Sequence, residues 1–258
     1  MVSLAHRPLL LLVVSFSGLW LAAWVGAALF RRLRPEIDSQ REDYGTVQSA
    51  VLTLLALIVG FTFSMAVTRY DQRKNLEEEE ANAIGTEYLR VGLLPQADAA
   101  KARALLVAYL EQRILYYTTQ DDQEVTKIVD ETSKLQDELW STIEPAARAQ
   151  PNAVAMVVVT GMNDVLNSQG YTTAAWLNRI PDGAWYLLGA IAACAMMVVG
   201  AGAHASKVRF GLFVILPLVL SISLFMIADI DAPRRGVIRV HPLNLEMLQK
   251  SLTGQAGH

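Results

Sequence analysis

Four runs of about twenty apolar residues punctuate this chain, two toward each end, and between the pairs the apolar residues recur at three- and four-residue spacing instead. A bilayer core of about 30 Å takes roughly 20 residues of helix and offers no water to an unpaired backbone, so each run predicts a transmembrane helix. The first extends from about Leu9 to Phe30 and stops at Arg31, Arg32 and Arg34. The second, about Val47 to Val67, holds no charge and meets Arg69. The third opens on the interfacial pair Trp185 and Tyr186 and reaches about Ala203; the fourth spans about Phe210 to Ala228, before Asp229 and Asp231. The first run is longer than the roughly 7 to 15 apolar residues of a signal peptide, so it reads as a retained anchor.

Short connections, about 31–46 and 206–209, make each pair a helical hairpin. The predicted fold class is all-α: a polytopic membrane protein with four transmembrane helices in two hairpins and an inserted soluble helical bundle. The boundaries fall at 1–68 for the first hairpin, 69–183 for the soluble helical domain, 184–229 for the second hairpin and 230–258 for a C-terminal tail. Two hairpins place both termini and the soluble domain on one side of the membrane. That side carries Arg7, Arg69, Arg73, Lys74, Arg179, Arg234, Arg235 and Arg239 near membrane ends, more than the opposite set of Arg31, Arg32, Arg34, Arg41, Lys207 and Arg209. The excess of cations favours a cytoplasmic placement of the termini and the domain.

Within the domain, the second membrane helix continues into water from Arg69 to about Leu94, with Leu76, Ala83, Ile84 and Leu94 near one face, until Pro95 ends it. A helix over about Asp98–Thr118 follows, marked by Leu105, Leu106, Tyr109, Leu110, Ile114 and Tyr117, and then one over about Asp122–Ile143. Pro145 and Pro151 bracket the next loop. The last helix, about Asn152 to Ser168, is too short to span a membrane and reads as the buried member of the bundle, with Gly170 as its end. No stretch alternates with period two for long enough to predict a strand.

Composition agrees with a lipid-solvated chain: 53% of the 258 residues are hydrophobic and 18% charged, with a mean hydropathy of +0.30. A net charge of −3 with dispersed Lys and Arg gives no basic stripe, which sets nucleic acid aside as a partner. The one cysteine, Cys194, rules out an intrachain disulfide or a CxxC motif and reads as a small hydrophobe shielded inside an apolar run. Enzyme signatures are missing and the four histidines are scattered, so no catalytic residue, cofactor or metal site is expected.

Candidate function lies elsewhere. The second membrane helix sets Ser49, Thr53, Ala56, Gly60 and Ser64 along roughly one face, a stripe that suits close helix packing first and a water-filled path second. Gly60, Phe61 and Phe63 would form a hydrophobic constriction if the helix were repeated around an axis. Of the acidic run Glu77 to Glu80, the first three read as a solvated face pairing with Arg73 and Lys74, while Glu80 and Glu87, two turns apart, are candidates for an acidic pore mouth. In the fourth membrane helix, Pro217 frees a backbone carbonyl that the hydroxyl of Ser221 is placed to satisfy. Asp229 and Asp231, followed by Arg234, Arg235 and Arg239, read as an interface charge cluster or a binding site.

Two stretches carry a resemblance. FTFSMAVTRYDQRKNLEEEEANAIGTEYLR, Phe61 to Arg90, resembles the signature of the bacterial bestrophin-like membrane proteins. LFMIADIDAPRRGVIRVHP, Leu224 to Pro242, is similar to the family's second motif, a membrane exit with acidic residues, a proline and an Arg-Gly pair, here Asp229, Asp231, Pro233, Arg235 and Gly236. The resemblance implies a homo-oligomeric ion channel in the bacterial inner membrane, with the lipid bilayer and inorganic ions as partners. The alternative is a non-conducting membrane scaffold or sensor that binds a partner through its helical domain.

Overall fold

A computed structural model describes residues 8–29, 41–149, 152–202 and 211–255. Among these residues the chain is all-helical: α1 (Pro8–Leu29), α2 (Arg41–Arg90), a 3-10 turn (Val91–Leu93), α3 (Gln96–Thr118), α4 (Asp122–Ala149), α5 (Ala153–Leu177), α6 (Asp182–Gly202), a π-helical segment (Gly211–Ile215) running into α7 (Leu216–Asp231), and α8 (Leu243–Gln255). Four helical stretches are long and apolar enough to cross a membrane, as the sequence pattern predicts. The connection expected at 31–46 is helical from Arg41 on; its part at 31–40, Pro151 and the connection at 206–209 lie outside the described residues. The chain divides into two compact units, one of Met1–Arg69 with Arg179–Arg239, the other of Tyr70–Asn178 with Val240–His258.

The first unit holds the four membrane spans. α1 is apolar on all sides, yet within the chain it buries only Pro8, Leu19, Ala23 and Gly26, while Trp20 and Trp24 stay outward. A helix that is hydrophobic all round fits a lipid solvent, where only its packing stripe needs protein. That stripe meets α6: a Cβ added at Gly26 would overlap the Met197 backbone, and one at Gly200 would overlap the Ala23 backbone. Small residues at a crossing let two backbones come into van der Waals contact, which is the main attraction between helices in lipid. α1 also packs along α7, so the spans associate out of chain order. The Tyr44 hydroxyl donates to the Val198 carbonyl near the α6 end.

Pro217 lies at the start of α7, directly after the π-helical segment. Its missing N–H removes a helical hydrogen bond, and a wider turn ahead of it absorbs the break. Ser221 donates to the carbonyl of Pro217 itself, at 2.7 Å, and not to the carbonyl that the proline frees.

The second unit is a helical bundle whose core includes Ile84, Leu106, Leu110, Leu139, Ile143, Val158, Met162 and Leu245. Two helix ends differ from those expected. α4 continues through Pro145 to Ala149; one lost hydrogen bond in its last turns is outweighed by the burial of Leu139 and Ile143 just before it. α5 passes Gly170 and reaches Leu177. A glycine costs a helix interior about 1 kcal/mol, less than is gained by burying Thr172, Ala175 and Trp176 beyond it. The start of α5 is capped by the Asn152 side chain, which accepts from Ala155 N at 3.0 Å. Residues 243–255, read as part of a tail, form α8 and pack into this core through Leu245 and Leu252.

Candidate pore face and buried acidic anchors

The membrane-spanning part of α2 turns Leu55 and Ala66 into the chain and leaves Ser49, Thr53, Gly60 and Ser64 uncovered. The space at Gly60 is open. At about 100° per residue these four share one side of the helix, flanked by Phe63 and Phe61 at about 70° and about 90° from the middle of the stripe on opposite sides. Phe61 is 65% exposed and Phe63 41%. The sequence-predicted stripe is therefore a free face of the single chain, with an exposed Phe on either flank. On one flank it borders an apolar groove of about 660 Å³ between α2 and α7, lined by Ala56, Gly60, Phe63, Val219 and Ser223 among others. Cys194, expected to be shielded, is exposed on α6: it lies away from the face that packs through Ala192, Ala195 and Met196.

The acidic residues of α2 have other partners than those expected. Glu77 is buried and caps α8, accepting from Asn244 N at 2.9 Å, Leu245 N at 3.0 Å and Asn244 Nδ2 at 2.7 Å. A carboxylate at a helix N-terminus satisfies orphan amides and meets the positive end of the dipole. Glu78 and Glu79 are exposed, as a solvated face requires. The reading of Glu77 as part of that face is corrected by its burial.

Glu80 is buried within the soluble unit, where it receives a short charge-assisted bond from Arg113 Nε, one from Tyr117 Oη at 3.2 Å and one from Thr172 Oγ1 at 3.2 Å. It ties α2 to α3 and α5. Burial acts to lower the Arg113 pKa, but the facing Glu80 carboxylate more than reverses this and pushes it upward. Burial, and then the Glu80 charge, push the Tyr117 hydroxyl up as well. Arg73 is buried in the same unit, donating to the carbonyls of Ala175 and Asn178, each at 3.2 Å. Glu87 is fully buried too, with no hydrogen-bond partner at either carboxylate oxygen. A buried carboxylate cannot gather ions at an open mouth, so the expectation for Glu80 and Glu87 is corrected by their packing.

The exit from the fourth span is a turn held by two carboxylates. Asp229 accepts from Val237 N and Ile238 N, both at 2.8 Å. Asp231 accepts from Ile180 N at 3.1 Å and lies 3.5 Å from Arg69 Nη1. Pro233 and Gly236 are buried and Arg235 is exposed. A side chain at Gly236 would overlap the Asp229 carbonyl, so only glycine lets this turn close. The motif thus works as a fold-back that leads the chain from membrane to soluble unit, with its acidic groups engaged by backbone amides.

The burial of Arg73 on two backbone carbonyls corrects its expected pairing with the acidic run, and neither Arg113 nor the capping role of Glu77 stood out in the sequence. Arg113 left a signal: it continues the apolar spacing of Leu106, Tyr109 and Leu110, and a charge on a core-facing stripe calls for a buried counter-charge. Arg73 and Glu77 gave none, because their partners lie more than a hundred residues away in the chain.

The bestrophin-like domain matches this sequence over residues 17–245. Among solved structures, two variants of a bacterial bestrophin homolog from Klebsiella pneumoniae superimpose on it. One has a TM-score of 0.67 at 12% identity, covering 96% of this chain and 99% of the other. The second has a TM-score of 0.68 at 13% identity, covering 96% and 97%. A further similar structure, described as a membrane protein, has a TM-score of 0.61 at 13% identity, covering 96% and 99%. At such identity the likeness speaks for the fold. Among proteins of curated function, none matches this sequence.

Proposed function

This chain belongs to the bestrophin-like family, and on that premise we propose that it is a homo-oligomeric ion channel whose pore is lined by α2. The observation that carries this reading is the uncovered stripe of Ser49, Thr53, Gly60 and Ser64. Hydroxyls and an open glycine on an otherwise apolar span gain little from lipid. Repeated around an axis, they would give water and ions a polar path, with Phe63 at its edge as a hydrophobic constriction. The groove between α2 and α7 supplies the adjoining surface for the neighbouring copy. Glu80 and Glu87, buried in the soluble unit, have no part in the pore, so charge preference would come from the membrane stripe and the exits beside it.

Thr53→Cys and Ser64→Cys, each in a Cys194→Ser background, test the assignment. In reconstituted protein a charged, membrane-impermeant thiosulfonate should suppress the current through both, because the thiol meets water only in a pore. Met65→Cys, about 130° around the helix from the stripe, should respond less. Currents that persist unchanged in both stripe variants would move the pore off this face, and folded protein that passes no current would favour the scaffold or sensor reading.

A further inference from the structure

Glu87 stands apart from the other buried acids of the soluble unit. Glu77 and Glu80 are each met by several donors, whereas the Glu87 carboxyl, equally sealed from solvent, has none at either oxygen. It is pressed against α5 at Gly161, where an added Cβ would overlap Glu87 Oε2 and crowd the Arg90 guanidinium. The absence of a side chain at Gly161 is what gives the carboxyl its seat. We propose that Glu87 is a proton-binding latch: as the neutral acid it seats α2 against α5 at Gly161, and loss of its proton loosens that contact.

The charged groups around it explain why the neutral form fits. Arg90, one turn on along α2, favours ionisation, while Asp164, one turn beyond Gly161 on α5, opposes it. On α3, Arg103 is turned to the Tyr88 carbonyl and ring. Burial outweighs the Arg90 attraction and raises the Glu87 pKa from 4.5 to about 8. The proton is therefore held more tightly in the folded protein than in the unfolded one. For an acid with a raised folded pKa, stability falls as pH rises from the unfolded value through the folded one, and levels off above it. The soluble unit should thus be most tightly latched in mild acid and loosen progressively up to about pH 8. The latch is independent of conduction.

The test is thermal unfolding of the full-length protein in nanodiscs, wild type against Glu87→Gln, between about pH 5 and about pH 9. Glutamine keeps the shape of the neutral acid and does not ionise. The expected result is a small difference in midpoint at the acid end that grows to several degrees in favour of Glu87→Gln and is constant above about pH 8. A difference that stays constant across the range overturns the latch. If Glu87→Gln does not fold, infrared titration of the wild-type protein decides: a neutral-carboxyl band that survives at neutral pH and disappears toward about pH 9 supports the latch, and its absence at neutral pH overturns it.

Discussion

Arg113 shows how a single side chain can organise a helical bundle. It is fully buried, it faces Glu80, and its guanidinium lies 4.5 Å from the Tyr116 ring centroid. Desolvating two charges is costly, and the pair is tolerable because Tyr117 and Thr172 also donate to the Glu80 carboxylate. Removing one partner strands the other. Arg113→Ala or Glu80→Ala should each cost about 3 to 5 kcal/mol, and the double change should cost clearly less than the sum. Unfolding midpoints of the three variants check this, and strictly additive losses would mean that the two side chains act independently. At this scale the sequence was only partly legible. Glu80 was singled out by its neighbours on α2, but its role depends on Arg113 and Thr172, which local spacing cannot bring together.

Helices were easier to foresee than their ends or their neighbours. The four spans, the run of α2 from membrane into water, and α3 all follow from apolar length and periodicity. Pro145 and Gly170 misled because both are breakers whose cost tertiary burial outweighs. α8 was missed although Leu245, Leu248 and Leu252 hold a helical spacing, because its first turn is capped by Glu77, a residue far away in the chain. The crossing of α1 and α6 was also hidden, since glycines in apolar runs do not say which helix they meet. Gly200→Val places a side chain in the Ala23 backbone and should destabilise the membrane unit by about 1 to 3 kcal/mol. Gly189→Ala on the same helix, where the space is open, should have little effect. Thermal unfolding in detergent reads both, and an undiminished midpoint for Gly200→Val would remove the close crossing from the account.

For the molecule as a whole, the membrane unit and the soluble unit have opposite needs. The soluble unit closes on itself: Arg113 faces Glu80 in its interior, Glu77 caps α8 and Asn152 caps α5, and its core is continuous from Ile84 to Leu252. The membrane unit leaves a polar stripe and an apolar groove on α2 uncovered, which is the incompleteness expected of one subunit of a larger assembly. Family and fold class could be read from two motifs and four apolar runs; the number of copies in the proposed assembly leaves no local pattern in one chain. The most direct test is to reconstitute the purified protein in a planar bilayer and record current under asymmetric salt. The account predicts discrete currents with a defined reversal potential, which also reports the sign of the permeant charge. Silence from protein shown to be folded and inserted, across voltage and pH, would contradict it.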